Sequence, residues 1–115
     1  MNDDCLFCKI ADKKIQTEIV YEDEEVLGFK DVNPQAPVHF LFIPKRHIPT
    51  LNDITEEDAA LLGRMLHIIK EVAAKENISE EGYRVVANCN KNAGQEVFHL
   101  HVHLLGGRKF RWPPG

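Results

Sequence analysis

Several common signals are absent from this sequence, and each absence excludes a class of protein. No apolar run approaches the length that spans a membrane, and the acidic start, residues 1–4, does not resemble a signal peptide. We therefore expect a cytoplasmic protein without membrane association. The formal net charge of −4 lacks the basic excess of a nucleic-acid-binding protein, although it permits a pocket for one phosphorylated small molecule. Neither a Walker A sequence nor GxGxxG occurs, so a bound nucleotide must be held in another way.

Cysteine is scarce, and three residues in a chain without a secretory signal do not predict a disulfide framework. Cys5 and Cys8 form a Cys-x-x-Cys pair, which indicates a metal site or a redox pair. Cys89 is left over, and its apolar surroundings predict a small buried residue. The length of 115 residues, with 43% hydrophobic and 28% charged residues, predicts a single domain, residues 1–115.

Hydrophobic patterning predicts an α+β fold, in which one long helix covers an antiparallel sheet of about five strands. The predicted strands are 18–21, 26–30, 38–43, 82–88 and 97–105. Thr55 is the predicted N-cap of the helix, which runs to about Asn77, because acidic residues follow Thr55 and suit the positive end of the helix dipole. The predicted apolar stripe of the helix is Leu62, Met65, Leu66, Ile69, Val72 and Ala73, with His67 on the polar side.

Three histidines alternate with apolar residues in the segment 97–105. The alternation predicts a strand that places His99, His101 and His103 on one face. The predicted core face is Phe98, Leu100, Val102 and Leu104. An ordinary solvent face carries Thr, Lys or Glu rather than three histidines, so we expect the imidazoles to bind or react. Metal ligation and covalent catalysis at a phosphorus centre both need several imidazoles on one face.

The segment His99–Leu105 resembles the motif His-φ-His-φ-His-φ-φ, with φ apolar, of the histidine triad (HIT) superfamily. Nearly the whole chain shares the likeness, which extends to the Hint branch, the histidine triad nucleotide-binding proteins. The segments that resemble this branch are 31–32, 37–40, 43–48, 94–95, 105–108 and 112–115. The resemblance implies a homodimeric HIT-like fold that binds purine nucleoside monophosphates such as AMP. It also implies hydrolysis of purine nucleoside 5′-phosphoramidates, the activity of a phosphoramidase.

The same resemblance assigns roles to individual residues. His101 would be the nucleophile that forms a nucleotidyl-histidine intermediate, supported by His103 and His39. The implied nucleotide-binding residues are Asp31 at the ribose, Phe29 and Val32 around the base, and Asn88, Gly94 and Gln95 beside the phosphate, together with His101 and His103. Glu96 stands where many animal members have serine. A carboxylate near a phosphate is repulsive unless it is protonated, turned away or used as a proton carrier, so the role of the serine does not transfer to Glu96. We expect Glu96 to modulate leaving-group preference.

Family members with the N-terminal Cys-x-x-Cys pair look like zinc proteins. Carried over to this chain, the ligands would be Cys5, Cys8, His47 and His99. Two thiolates and two imidazoles form a closed tetrahedral site, which is structural because no position is open to water. No organic cofactor is expected.

Three alternatives stay open. The chain could bind a nucleotide as a scaffold without turnover, hold a catalytic metal on the triad itself, or hydrolyse dinucleoside polyphosphates. The Trp112–Gly115 terminus is similar to the Hint branch and argues against the last alternative. Because a lone tryptophan is costly to leave in water, we expect this tail to dock on the body or on a second subunit.

Overall fold

The computed structural model describes residues 4–115, in which five antiparallel strands form one sheet with a helix on each face. In the order β1-β2-β3-β5-β4, the strands are β1 (Ile19–Glu22), β2 (Val26–Lys30), β3 (Val38–Pro44), β5 (Val102–Gly106) and β4 (Tyr83–Val86). The helices are α1 (Leu6–Ala11) and α2 (Ala59–Lys75), and 3-10 turns lie at Leu51–Asp53, Glu56–Asp58 and Lys91–Ala93. The predicted α+β architecture is confirmed. Within residues 4–115, no helix combines the length and apolar character needed to cross a membrane.

Alternation along β3 divides the core into two layers. Phe40 and Phe42 face α2, whereas Leu41 and Ile43 face α1. The buried residues of α2 are Met65, Ile68, Ile69, Val72 and Ala73. Leu66 was predicted to join them, and this is wrong, since 54% of Leu66 is exposed. One residue rotates a helix by about 100°, which turns Leu66 away from the sheet next to Met65.

The long helix begins later than its acidic start predicts. Thr55 caps the 3-10 turn Glu56–Asp58 instead, and its backbone N–H donates to the Asp58 carboxylate at 2.8 Å. The α-helix then runs from Ala59 to Lys75. Asn77 adopts a left-handed conformation (φ 61°), which ends the helix two residues before the predicted boundary.

The histidine strand is shorter than the alternation predicts. β5 begins at Val102, so His99 and His101 precede it. Val102 pairs with Phe42 of β3, and two residues further along β3 Pro44 has no N–H to donate. The Pro44 carbonyl is also occupied, because it accepts a hydrogen bond from the His99 ring at 2.7 Å. The strand pairing therefore stops before the first two histidines.

The backbone before β5 follows another path. The Leu100 N–H donates to the Ile48 carbonyl at 2.6 Å, in the connection after β3. Phe98 was predicted in the core, and this is wrong, since it is 48% exposed. Leaving the strand pairing releases the chain from strict alternation, so Phe98 no longer shares a face with Leu104.

Two further predictions concern the ends of elements. Trp112 was expected to dock on the body of this chain or on a second subunit. Trp112 is 83% exposed, so it does not dock on the body of this chain. Docking on a second subunit stays a prediction. Cys89 lies beyond the end of β4 and is half-buried, rather than buried within an apolar strand.

Candidate active site

A cavity of about 590 Å³ opens between α1, the sheet and the loops that flank the histidines. It brings together most of the residues that the sequence predicts for the site, namely Phe29, Asp31, Val32, His39, Asn88, Gly94, Glu96, His101 and His103. The sequence did not predict the part of the apolar wall that α1 contributes, which consists of Leu6, Phe7 and Ile10. A six-residue helix is too short to produce a recognisable hydrophobic period, so no sequence signal announced this wall.

His101 is buried against the cavity and its ring has a defined orientation. Its Nδ1 lies 2.7 Å from the carbonyl oxygen of His99. Because a carbonyl oxygen only accepts, Nδ1 carries the proton, and the neutral ring keeps its lone pair on Nε2. The His101 ring therefore offers Nε2 as its nucleophilic or ligating atom.

A second chain of hydrogen bonds fixes His39 and His103. The Gln35 backbone N–H donates to His39 Nδ1 at 3.0 Å, so this nitrogen is unprotonated. His39 Nε2 then carries the proton and donates to His103 Nδ1 at 2.9 Å. By the same reasoning, the proton of the neutral His103 ring lies on Nε2, and His103 lines the cavity. This series of hydrogen bonds thus leaves His103 Nε2–H as a hydrogen-bond donor.

Burial keeps both of these rings neutral. It lowers the pKa of His103 to about 4, and the neighbouring His101 and His39 act in the same direction. Burial also lowers the pKa of His39, which the nearby Asp31 carboxylate partly offsets. Near neutral pH, His39 and His103 therefore act as neutral donors rather than as cations.

The same hydrogen bonds bear on the alternative of a catalytic metal. Asp31, His39 and His103 each offer a ligand atom, and these atoms lie within 4.8 Å of one another. A metal on His39 Nε2 would leave the ring proton on Nδ1, where it would face the Gln35 N–H. Two donors would then oppose each other, so the geometry favours a pair of hydrogen-bonded imidazoles over a metal centre.

Asp31 and the loop before the histidines border the cavity. The Asp31 side chain accepts the Asn33 backbone N–H at 2.8 Å, and its other carboxylate oxygen lies 3.4 Å from His39 Nε2. Val32, predicted for the base wall, lines the cavity from its rim and is 94% exposed. Phe29 is buried and lines the cavity from β2.

The loop that contains Gly94 and Gln95, which the sequence predicts beside a phosphate, holds its own backbone amides. Gly94 takes a positive φ of 86°, which favours glycine, and its N–H donates to the Lys91 carbonyl. The Gln95 N–H donates to the Asn90 carbonyl. The Gln95 side chain is buried and braces the loop through the Pro49 and Val97 carbonyls. Both backbone amides are therefore engaged within the loop.

His39, His101 and His103 form one cluster of side chains at the cavity, and a second cluster is formed around His99. One ligand atom from each of Cys5, Cys8, His47 and His99 lies within 4.8 Å of the others. His99 Nδ1 is 3.2 Å from Cys5 Sγ and 3.5 Å from Cys8 Sγ, and His47 Nδ1 is 3.3 Å from Cys8 Sγ. His99 Nε2 donates to the Pro44 carbonyl, which leaves the Nδ1 lone pair directed at the thiols. The donor set and its orientation fit a tetrahedral Cys2His2 metal site.

The fold and the two clusters define a histidine triad protein, and comparison with known proteins agrees. A family model described as "Scavenger mRNA decapping enzyme C-term binding" matches residues 4–110. A HIT family hydrolase from Legionella pneumophila superimposes with a TM-score of 0.95 at 53% identity, covering 96% of this chain and 99% of that one. A histidine triad protein from Clostridium difficile gives a TM-score of 0.94 at 41% identity, with 96% of each chain covered.

Protein sequences give the same result. A HIT-like protein from Synechocystis is 55% identical over 115 residues, the full length of both chains. The purine nucleoside phosphoramidase of Escherichia coli K12 is 47% identical over 108 residues, which is 94% of this chain and 91% of the enzyme. This chain belongs to the histidine triad (HIT) family of hydrolases.

Proposed function

We propose that this protein hydrolyses the P–N bond of purine nucleoside 5′-phosphoramidates through a nucleotidyl-histidine intermediate on His101. The observation that carries the proposal is the hydrogen bond from His101 Nδ1–H to the His99 carbonyl, because it leaves Nε2 as an oriented nucleophile inside the cavity. The similarity to the E. coli phosphoramidase supports this choice of substrate.

The reaction proceeds in two displacements. His101 Nε2 attacks the α-phosphorus, the P–N bond breaks, and the amine takes up a proton as it leaves. Water then attacks the same phosphorus, the P–N bond to His101 breaks, and the nucleoside monophosphate is released with a neutral imidazole. The His99 carbonyl faces His101 Nδ1–H throughout and stabilises the positive ring of the intermediate.

The other residues of the cavity hold the nucleotide. His103 Nε2–H and the Asn88 amide donate to the non-bridging phosphate oxygens, where negative charge develops. The Asp31 carboxylate accepts from the ribose hydroxyls. The apolar wall takes the base, with Phe29 buried behind it.

Cys5, Cys8, His47 and His99 would hold a structural Zn²⁺, since two thiolates and two imidazoles leave no ligand position open. When bound, the ion supplies a rigid link between α1 and the segment that carries the histidines, and no step of the reaction passes through it. Metal analysis of protein purified without chelator tests this assignment. A metal-free wild type ends it.

The functional protein is a homodimer in this proposal. β4 is at the edge of the sheet, and its Val85 is 40% exposed. The exposed Trp112 adds a large apolar side chain that a second subunit could cover. Sedimentation equilibrium measures the mass directly, and a monomer at micromolar concentration would contradict this part of the proposal.

The deciding experiment is a single turnover with adenosine 5′-phosphoramidate labelled in the adenosine. We expect an acid-labile adenylyl-protein that can be trapped by rapid denaturation at neutral or alkaline pH. His101→Ala should form no adduct and should lose about 10³-fold or more in rate. A wild type that never forms the adduct, or an alanine variant that remains active, would falsify the covalent mechanism. Binding without turnover in the wild type would instead support a nucleotide scaffold.

Glu96 lines the same cavity, and we expect it to influence which amine leaves. A carboxylate near the reacting phosphorus favours cationic over neutral leaving groups through its charge. Glu96→Ser should therefore lower the preference for an amine that carries a positive charge, by several-fold. Competition between a lysine-type and a neutral adenosine phosphoramidate measures the change. Unchanged rate and selectivity would remove Glu96 from the account.

A further inference from the structure

Phe7 is a buried residue of α1 that touches the proposed nucleophile. Its ring centroid lies 5.0 Å from that of His101, with an interplanar angle of 89°. His103 borders His101 on another side, with centroids 5.1 Å apart and an angle of 64°. Edge-to-face contacts of this kind have a preferred geometry, so they restrict the rotation of the His101 ring. The function proposed above uses His101 and leaves Phe7 as part of a cavity wall.

Phe7 is itself held in place by the Cys2His2 cluster. It stands between the two cysteines, and α1 has six residues, too few to be stable as an isolated helix. Cys5 is the N-cap of the helix, and its sulfur accepts the Cys8 backbone N–H at 3.3 Å. Both cysteines contact His99. Phe7 also packs on the His99 ring, with the ring centroids 6.1 Å apart. The cluster therefore fixes two of the groups that meet the His101 imidazole, the His99 carbonyl and the Phe7 ring.

We propose that Phe7 is a positioning residue for His101, and that the Cys2His2 cluster acts on the reaction by holding Phe7 against that imidazole. The proposal rests on the function proposed for His101. In the free protein, it requires the His101 ring to be held with Nδ1–H on the His99 carbonyl before any substrate binds. If Phe7 is lost, the ring can rotate, and Nε2 spends less time directed at the phosphorus.

The test compares two variants of the same helix. Phe7→Leu removes the ring that touches His101 and keeps an apolar side chain. Ile10→Ala removes buried apolar volume from the same helix and cavity, but Ile10 has no aromatic ring that packs on the His101 imidazole. Two quantities are measured: the Nδ1–H proton signal of His101 by NMR in the free protein, and the rate of adduct formation in a single turnover.

We expect a sharp, slowly exchanging His101 Nδ1–H signal in the wild type. Phe7→Leu should broaden it and slow adduct formation by about 10- to 100-fold, with a smaller change in KM. Ile10→Ala, which shortens the wall proposed for the base, should raise KM in steady-state kinetics and retain the His101 signal. Thermal unfolding of both variants verifies that each is folded at the assay temperature.

Removing the metal with a chelator should broaden the His101 signal in the wild type and add little to the effect of Phe7→Leu. The proposal is overturned if Phe7→Leu keeps both the signal and the rate, or if Ile10→Ala loses the signal equally. A wild type without the signal also overturns it. A sharp signal after metal removal overturns the part assigned to the cluster. A wild type that shows the signal but forms no adduct refutes the proposed function instead, because the signal does not depend on turnover.

Discussion

His99 and His101 are two residues apart and both buried, yet they belong to different clusters. His99 lies with Cys5, Cys8 and His47, whereas His101 lines the cavity. His99 donates from Nε2 to the Pro44 carbonyl and directs Nδ1 at the thiols. His101 donates from Nδ1 to the His99 carbonyl and directs Nε2 at the cavity. The side-chain chemistry is the same in both cases. The backbone carbonyl that each ring meets selects its tautomer, and the tautomer selects the atom that remains reactive.

The surroundings reinforce this division. The cluster that contains His99 has sulfur ligands and is largely buried, and its donor set fits a metal ion. The cluster around His101 contains imidazoles linked by a chain of hydrogen bonds from Gln35, and it opens into a cavity. One short segment of chain thus contributes to both clusters, and each can be altered separately.

The largest expected effect is a loss of stability when the cluster around His99 is altered. Cys5→Ser removes a thiolate but keeps a side chain that can cap α1 at its N-terminus. We expect loss of bound metal and a decrease in the free energy of unfolding on the order of 3 kcal/mol. Metal analysis and denaturant unfolding measure both. His101→Ala is the matched control, since it should keep the metal, and equal stability of Cys5→Ser and wild type would remove the metal from the account of the fold.

A smaller effect is expected in the hydrogen-bond chain of the reactive cluster. His39→Ala deletes the donor to His103 Nδ1 and should lower kcat by about 10- to 100-fold, with the metal content unchanged. His39→Gln provides an amide N–H at a similar reach and should recover part of the loss. Steady-state kinetics of the two variants give the comparison. If glutamine and alanine are equally poor, donation to His103 is not what His39 contributes.

The smallest expected effect is a pH dependence of stability. The pKa of His103 is about 4 in the folded protein, whereas an unfolded histidine titrates near ~6.5. Between these values the unfolded chain binds more protons, so stability decreases as the pH falls through this window and is fully present above it. His103 contributes a slope of at most about 1.4 kcal/mol per pH unit. Urea unfolding across the window should show a shallower slope for His103→Gln, and parallel profiles would contradict the assignment.

The sequence predicted the architecture because its strongest signals are local. The apolar run at 38–43 predicted a strand, and in the structure the two faces of this strand lie against α2 and α1. The resemblance to the HIT superfamily predicted that His39, His101 and His103 share one site, and all three line one cavity. Local patterns could not show where the strand pairing ends, since that depends on Pro44, more than fifty positions before the histidines. Phe98 was misplaced for this reason.

The wall formed by α1 was equally beyond local patterns. Leu6, Phe7 and Ile10 form this wall only when Phe29 of the sheet and His101 lie next to α1. The engagement of the Gly94 and Gln95 amides inside their own loop is likewise a matter of tertiary geometry. Motif position assigned these residues to the phosphate, and the motif contains no information about which amides remain available.

The shortness of α1 also determines the order in which the protein can assemble. Cys5 and His99 lie 94 positions apart in the chain, and Cys8 and His47 lie 39 apart. A six-residue helix is not stable before its partners are folded. Closing such long loops also has an entropic cost, which formation of the sheet must first offset. The residues of α1 are therefore among the last to fold, and the cavity acquires its wall only after the histidines are in place.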